Sequence, residues 1–392
     1  MFAAMILIFV LGYIAIAMEH PIKVNKAASA LFIGTLLWVV YILGAGELLS
    51  NQGSKGFKEF LNLYPHVQEK AVNEQYIEYI SHWELLHHLG EISEIIFFLL
   101  GAMTIVELVD HHQGFKIITD KIQTKNKVKL LWIISIIAFF LSAVLDNLTT
   151  TIVMIALLRK LIKPQRDRWI FASMIVIAAN SGGAWSPIGD VTTIMLWIGG
   201  QITASSIILR VFIPSVVSLL IPLIIMSFFE RGTIESPEIN SQNSEDEVSR
   251  FKRNLLFCMG VGGLLMVPVF KATTHLPPYI GMLMVLSILW VTTEILYRKS
   301  TNGQIAGKLT VSKILTKIDT PTILFFLGIL LAVSALQSAG HLGLMAQWLD
   351  AKLNNIYLID GIIGILSSIV DNVPLVAGAM GMYPIQDRKS VV

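Results

Sequence analysis

From Phe139 to Ile155 the chain reads FFLSAVLDNLTTTIVMI, and from Ile365 to Met380 it reads ILSSIVDNVPLVAGAM, so an Asp-Asn pair twice interrupts an apolar run. Hydrocarbon offers backbone groups no water, so only helices and closed barrels cross it. Non-helical backbone at that depth survives only against protein or a water-filled cavity. Ionisable side chains there are rare and mark ion or proton pathways. The repeated pair, Asp146-Asn147 and Asp371-Asn372, predicts a transport protein built from two related halves.

Composition agrees. Of 392 residues, 54% are hydrophobic and only 14% charged, with a mean hydropathy of +0.69, against about 25% charged in soluble domains. An all-α polytopic membrane protein is expected. With 29 basic and 27 acidic residues nothing points to nucleic acid; the expected surroundings are a lipid bilayer. The single Cys258 excludes a disulfide framework and a thiolate metal site. Phe2 to Met18 lacks a basic leader and a small-residue cleavage site, so a first transmembrane helix is expected there. There is no phosphate-binding loop, nucleophile elbow or zinc-protease motif, so neither an enzyme nor a cofactor is expected.

Apolar runs long enough to cross, or nearly cross, a core of about 30 Å fall at 2–18, 27–44, 91–109, 207–229, 254–271, 279–297 and 320–337. Three further apolar regions, 128–158, 169–203 and 356–385, are broken by polar or Gly/Pro residues. Lys and Arg accumulate in cytoplasmic loops. Lys116, Lys121, Lys125, Lys127 and Lys129 bound one end of region 128–158, and Arg159, Lys160, Lys163, Arg166 and Arg168 bound the other. Both ends are therefore expected inside, which makes 128–160 a re-entrant hairpin with Asp146 to Thr151 at its tip. Region 169–203 then crosses outward as a helix broken at Asn180 to Asp190, NSGGAWSPIGD. The segment 46–90 is expected outside, with a surface helix.

Residues 230–253 read as a hydrophilic linker between a first transmembrane repeat, 1–229, and a second, 254–392. The second runs in the opposite sense because Arg298, Lys299, Lys308, Lys313 and Lys317 hold its first loop inside. This is an inverted repeat of the kind secondary transporters use, with broken elements meeting near the bilayer midplane. Gly101 after Phe97 to Leu100, and Gly328 after Phe325 to Leu327, mark equivalent places in the two halves.

Sodium is a hard cation that wants oxygen ligands, a preference shared with calcium and magnesium. Asp146, Asn147, Thr149, Thr150, Asn180, Ser181, Asp190, Thr192 and Thr193 supply carboxylate, amide and hydroxyl oxygens at the breaks. A carboxylate in a poorly hydrated cavity holds either a proton or a metal ion, and competition for one site combined with alternating access gives exchange. The structural alternatives are plain. Thr149, Thr150 and Thr151 can bond carbonyls within a helix, Gly182-Gly183 can serve close packing, and Asp146 or Asp190 can sit in a buried ion pair, although no Lys or Arg lies in the neighbouring apolar sequence. Glu94 is an accessory candidate or a solvated helix end. Asp319-Thr320-Pro321 reads first as a helix start. His82, His87, His88, His111 and His112 match no zinc template; loop or interface positions are expected for them, with His87 or His88 near Glu94 as candidates for pH sensing.

With SAVLDNLTTT (Ser142 to Thr151), NSGGAWSPIGDVTT (Asn180 to Thr193) and SSIVDNVPL (Ser367 to Leu375) in view, the chain resembles the NhaD-type sodium/proton antiporters, part of the ion-transporter superfamily that includes arsenite and dicarboxylate permeases. The resemblance covers nearly the whole chain. It implies exchange of sodium, and lithium, for protons across a bacterial inner membrane. It also implies a homodimer with a scaffold and a mobile transport domain. Residue by residue it implies ion-site roles for Ser142, Asp146, Asn147, Asn180, Asp190, Thr192 and Thr193 in the first repeat and for Ser367, Asp371 and Asn372 in the second; Glu94, Asp319 and Thr320 fall where the family has functional polar residues. The rivals are an anion permease for arsenite or a carboxylate, and a non-transporting membrane scaffold.

One departure from the family pattern stands out. The step from Asp146 to Asn180, taken forward from Asp371, runs past Val392, so the second repeat is expected to be truncated in this sequence. Residues 387–392, DRKSVV, read as a translated sequencing-adapter stretch.

Overall fold

The structure, a computed structural model, describes residues 1–52, 55–119, 122, 124–234, 249–297, 311–353, 355–367 and 372–383. Among these the chain is helical, with one isolated bridge between Asn126 and Thr233. The principal helices are α1 (Phe2–Ala17), α2 (Lys26–Leu43), α3 (Ala45–Gln52), α4 (Lys55–Leu63), α5 (Val72–Glu78), α6 (Leu85–His111), α7 (Lys127–Leu145), α8 (Asn147–Leu161), α9 (Gln165–Ala184), α10 (Val191–Ile198), α11 (Ala204–Phe229), α12 (Arg250–Thr274), α13 (Pro278–Tyr297), α14 (Thr320–Ser338), α15 (His341–Leu353), α16 (Ile356–Ser367) and α17 (Asn372–Met382). Among the described residues, seven helical stretches are long and apolar enough to span a bilayer. The chain is a multi-pass membrane protein.

Two boundaries differ from the sequence expectation. The helix expected at 91–109 runs back without interruption to Val72, through a π-helical turn at Tyr79–Glu84. Its polar first half, with His82, His87 and His88, looked like loop because only the apolar part has the composition of a span. The broken helix stays helical through Ala184, so its break is 185–190 and Asn180 to Gly183 lie in the last turn of α9. Asp371, most of the expected linker 230–253 and the expected adapter stretch 387–392 lie outside the described residues.

The chain forms two compact units, Met1–Ile96 with Asp319–Val391, and Phe97–Ile318. In the first, α2 and α14 pack backbone to backbone. Gly34 and Gly328 permit it: a Cβ on Gly34 would strike the carbonyl of Gly328, and one on Gly328 would strike the backbone of Ala30 and Leu31. Small residues at such a crossing substitute dispersion contact for the hydrophobic drive that lipid removes. Trp38 Nε1 donates across it to the Leu331 carbonyl at 3.0 Å.

In the second unit α7, α8, α9 and α11 share a core that includes Leu130, Ile134, Phe139, Met154, Phe171, Ile175, Leu219 and Leu223. At one end Lys127 Nζ, on the first residue of α7, lies 2.7 Å from Asp167 in the first turn of α9 and 3.9 Å from Glu230 just past α11. Lys127 N also donates to the Gly232 carbonyl, and Ile234 N to that of Lys125. Residues 162–164 lead from α8 straight into α9. The start of α7 and the end of α8 are thus held at the same end of the unit, and the turn between them lies at the far end of the pair.

Gly328→Leu is expected to force α2 from α14 and to destabilise the detergent-solubilised protein by about 1–3 kcal/mol, the usual cost of overpacking. Thermal unfolding followed by tryptophan fluorescence reads this, with Gly361→Leu, where a side chain meets open space, expected to leave the midpoint unchanged.

Candidate functional site

At the turn, the helix stops at Leu145 and restarts at Asn147. Asp146 joins them with φ +98° and ψ 159°, a region populated almost only by glycine. Its carboxylate offsets that strain by capping α8. Oδ1 accepts from Thr149 N at 2.7 Å and Oδ2 from Thr149 Oγ1 at 2.8 Å. A carboxylate at an N-cap meets unsatisfied N–H groups and the positive end of the helix dipole.

The break in the second helix repeats the device. After Ala184 the chain turns through Ser186, Pro187 and Gly189, and Asp190 caps α10: its Oδ1 accepts from Thr192 N at 2.8 Å and Thr192 Oγ1 at 2.6 Å. Asp190 is buried at 8% exposure, and Thr193 Oγ1 returns to its carbonyl at 2.8 Å. Asn147 joins the two breaks. Its Nδ2 donates to Asp190 Oδ2 at 2.5 Å and to Asn180 Oδ1 at 2.9 Å. Two acidic helix caps, two amides and two threonine hydroxyls therefore come together.

The supporting hydrogen bonds run to carbonyls. Ser142 Oγ donates to Ala179 O and Ser186 Oγ to Ala143 O, both at 2.6 Å; the second satisfies one of the last carbonyls of α7. Gly182 and Gly183 serve packing: a Cβ on either would meet the Phe139 or Gly189 backbone. Thr151 bonds the Asn147 carbonyl at 2.7 Å. Thr150 is fully buried, and its Oγ1 has no hydrogen-bond partner among the described residues.

Of the residues expected at the site, Asn147, Asn180, Asp190 and Thr192 form one hydrogen-bonded group, and Asp146 with Thr149 forms a second beside it, adjacent through the Asp146–Asn147 peptide. Ser142 and Thr193 brace the site through backbone carbonyls. Ser181 does not join; it bonds Ser218 on α11 at 3.1 Å, because it lies one position round the helix from Asn180. The other candidates belong to the first unit. Asp319 caps α14, accepting from Thr322 N at 3.3 Å and Thr322 Oγ1 at 2.5 Å, with Thr320 exposed at the helix start. Glu94 is half-buried on α6, and exposed His87 lies 3.5 Å from Glu91. Ser367 bonds the Gly364 carbonyl at 2.8 Å within its own helix, and Asn372 is exposed. Sequence reasoning missed the bracing role of Ser186, whose place before Pro187 at a helix end was the available signal.

The family described as citrate transporter matches residues 13–391. Sodium/proton antiporter 2 of Arabidopsis thaliana is 42% identical over 384 residues, covering 97% of this chain and 82% of the relative. The chain belongs to the NhaD-type sodium/proton antiporter family. Sodium/proton antiporter 1 of the same plant is 46% identical over 382 residues, and the chain spans 60% of its length. The Na(+)/H(+) antiporter NhaD of Vibrio cholerae is 28% identical over 408 residues, covering 97% of this chain and 78% of the relative. The family consists of transporters and not enzymes.

The geometry separates two roles of Asp146. Asp146→Asn keeps an N-cap acceptor and is expected to leave thermal stability nearly unchanged, whereas Asp146→Ala removes the cap and is expected to cost about 1 kcal/mol. Hydrogen exchange at the first turn of α8 is the local readout: protection survives in the Asn variant and falls in the Ala variant.

Proposed function

We propose that this chain is a secondary active transporter exchanging sodium, and lithium, for protons. The supporting observation is that Asn147, the residue next to the first acidic cap, donates its Nδ2 to the second, Asp190. Carboxylate and amide oxygens suit a hard monovalent cation. A proton on either carboxylate removes the charge that such a cation needs and weakens the cap that the anion makes. Proton and cation are then alternatives for one pair of groups. Alternating exposure of the cluster to the two faces turns that competition into exchange.

The anion-permease reading takes support from the description of the matching family as citrate transporter. Helix N-termini are ready anion sites. Here the first turns of α8 and α10 already hold the chain's own carboxylates, so an incoming anion meets negative charge. The cation reading is therefore the stronger.

Several finer features belong to the same proposal. The α7–α8 pair is a re-entrant hairpin, α9–α10 the broken helix of a first repeat over 1–229, and α16–α17, with Asp371 and Ser367, the arms of its inverted counterpart within 254–392. The working unit is a homodimer in a membrane that carries an ion gradient, the bacterial inner membrane in the simplest case.

The test is a proteoliposome assay of sodium-driven proton movement. Asp146→Asn and Asp190→Asn are each expected to abolish it, while Thr192→Val raises the half-saturating sodium concentration about tenfold, the value of one lost charge-assisted hydrogen bond. Full exchange in Asp146→Asn overturns the assignment. Uptake of citrate or arsenite without sodium–proton coupling supports the anion permease, and no flux of any ion supports a scaffold.

A further inference from the structure

The exchange reading gives no role to Glu84, a carboxylate in the first unit whose two oxygens are both engaged. Tyr41 on α2 is fully buried and donates its hydroxyl to Glu84 Oε2 at 2.7 Å. Tyr79, 3% exposed, donates to Oε1 at 3.1 Å. Tyr79 and Glu84 are the first and last residues of the π-helical turn. Such turns are uncommon and occur frequently at functional sites. The rings of Phe57 and Phe60 on α4 lie 5.4 and 5.5 Å from that of Tyr79 and close the cradle with apolar surface.

The groups facing this carboxylate are few. From α2 comes Tyr41, from its own helix Tyr79 and His88, and from α14 the uncharged end residue Ser338. The Ser338 carbonyl lies 3.3 Å from the Tyr41 hydroxyl, and its Oγ lies 3.1 Å from His88 Nε2. His88 Nδ1 points the other way, to exposed Glu91 at 3.3 Å. From α4 come the two phenylalanine rings. No Lys or Arg pairs with Glu84 among the described residues. Glu84 is half-buried, and a carboxylate partly removed from water without a cation is costly as an anion, whereas two phenol donors favour the anion. The two influences oppose each other, which is the situation in which a group changes protonation state within an accessible pH range.

We infer that Glu84 is a proton-binding site separate from the Asp146 and Asp190 pair, and that its charge state decides how firmly Tyr79 and Glu84 are bonded across the π turn. As an anion Glu84 accepts one phenol on each oxygen. On binding a proton from water, one oxygen becomes a hydroxyl, a donor and a poorer acceptor, so one phenol bond weakens while the other persists. The shorter bond, from Tyr41, marks Oε2 as the oxygen that remains a carbonyl. Changing pH therefore alters the Tyr79–Glu84 bond that spans the π turn, while the Tyr41 bond from α2 is kept, with no cation bound or released.

Infrared difference spectroscopy of the full chain in lipid, titrated with pH in the absence of sodium and lithium, tests this through the stretching band of protonated carboxyl groups. A titrating band present in the unmodified protein is expected to vanish in Glu84→Gln and to persist in the double variant Asp146→Asn/Asp190→Asn. Tyr41→Phe, which keeps the ring and its packing, is expected to move the band to higher frequency because the carbonyl loses a donor; Tyr79→Phe leaves it in place. A spectrum unchanged in Glu84→Gln, or a band that neither phenol substitution moves, overturns the inference. The readout is protonation and not flux, so failure of the sodium–proton reading leaves it standing, and its own failure leaves that reading intact.

Discussion

A helix broken inside an apolar core exposes N–H and C=O groups that lipid cannot satisfy, and the second unit is arranged around answering that demand twice. At Asp146 and at Asp190 the same side chain that stands at the interruption accepts the first N–H groups of the helix beyond it. Ser186 satisfies a carbonyl at the end of α7, and Ser142 ties α7 to α9 through the Ala179 carbonyl. What remains in the cluster is oxygen chemistry and negative charge. The groups that make the breaks tolerable are thus the ones able to hold a cation, and structure and proposed function draw on the same atoms.

The position of the cluster follows from the other end of the unit. Lys127 gathers the start of α7, the start of α9 and the exit from α11, and from there α7 and α9 run alongside each other over the core of Phe139, Phe171 and Ile175. Roughly 22 Å along α9 at 1.5 Å per residue, Asn180 meets Asn147. Helix length and a shared base set the register, and one amide fixes it. The two compact units each take helices from both sequence halves, so repeat and unit are different divisions of the chain.

Much of this was legible in the sequence because membrane physics leaves few options. Long apolar runs have to be helices, and Asp146 and Asp190 were conspicuous as charges within them. Asp319 was readable as a cap from Asp-Thr-Pro alone, and the structure uses it so. The sequence was less informative where a residue's role depends on which side of a helix it occupies: Ser181 and Asn180 are neighbours in the chain, yet one bonds Ser218 and the other Asn147. Gly182 and Gly183 looked like a break and are helical; their lack of a side chain instead serves close approach, of Gly182 to Phe139 and of Gly183 to Gly189. The Glu84 cluster was invisible since Tyr41, Glu84 and Ser338 are distant in sequence, and no local pattern announces a meeting of that kind.

The backbone at Asp146 has a consequence of its own. With φ +98° and ψ 159°, the position suits glycine, which reaches that region without penalty, and glycine at an N-cap gives up only a few tenths of a kcal/mol relative to aspartate. Conformational preference alone would therefore place a glycine there. Stability and activity pull in opposite directions at this residue: a search for more robust variants of the protein would converge on the substitution that removes its central carboxylate, and an alignment-free design method that scores only the backbone would do the same.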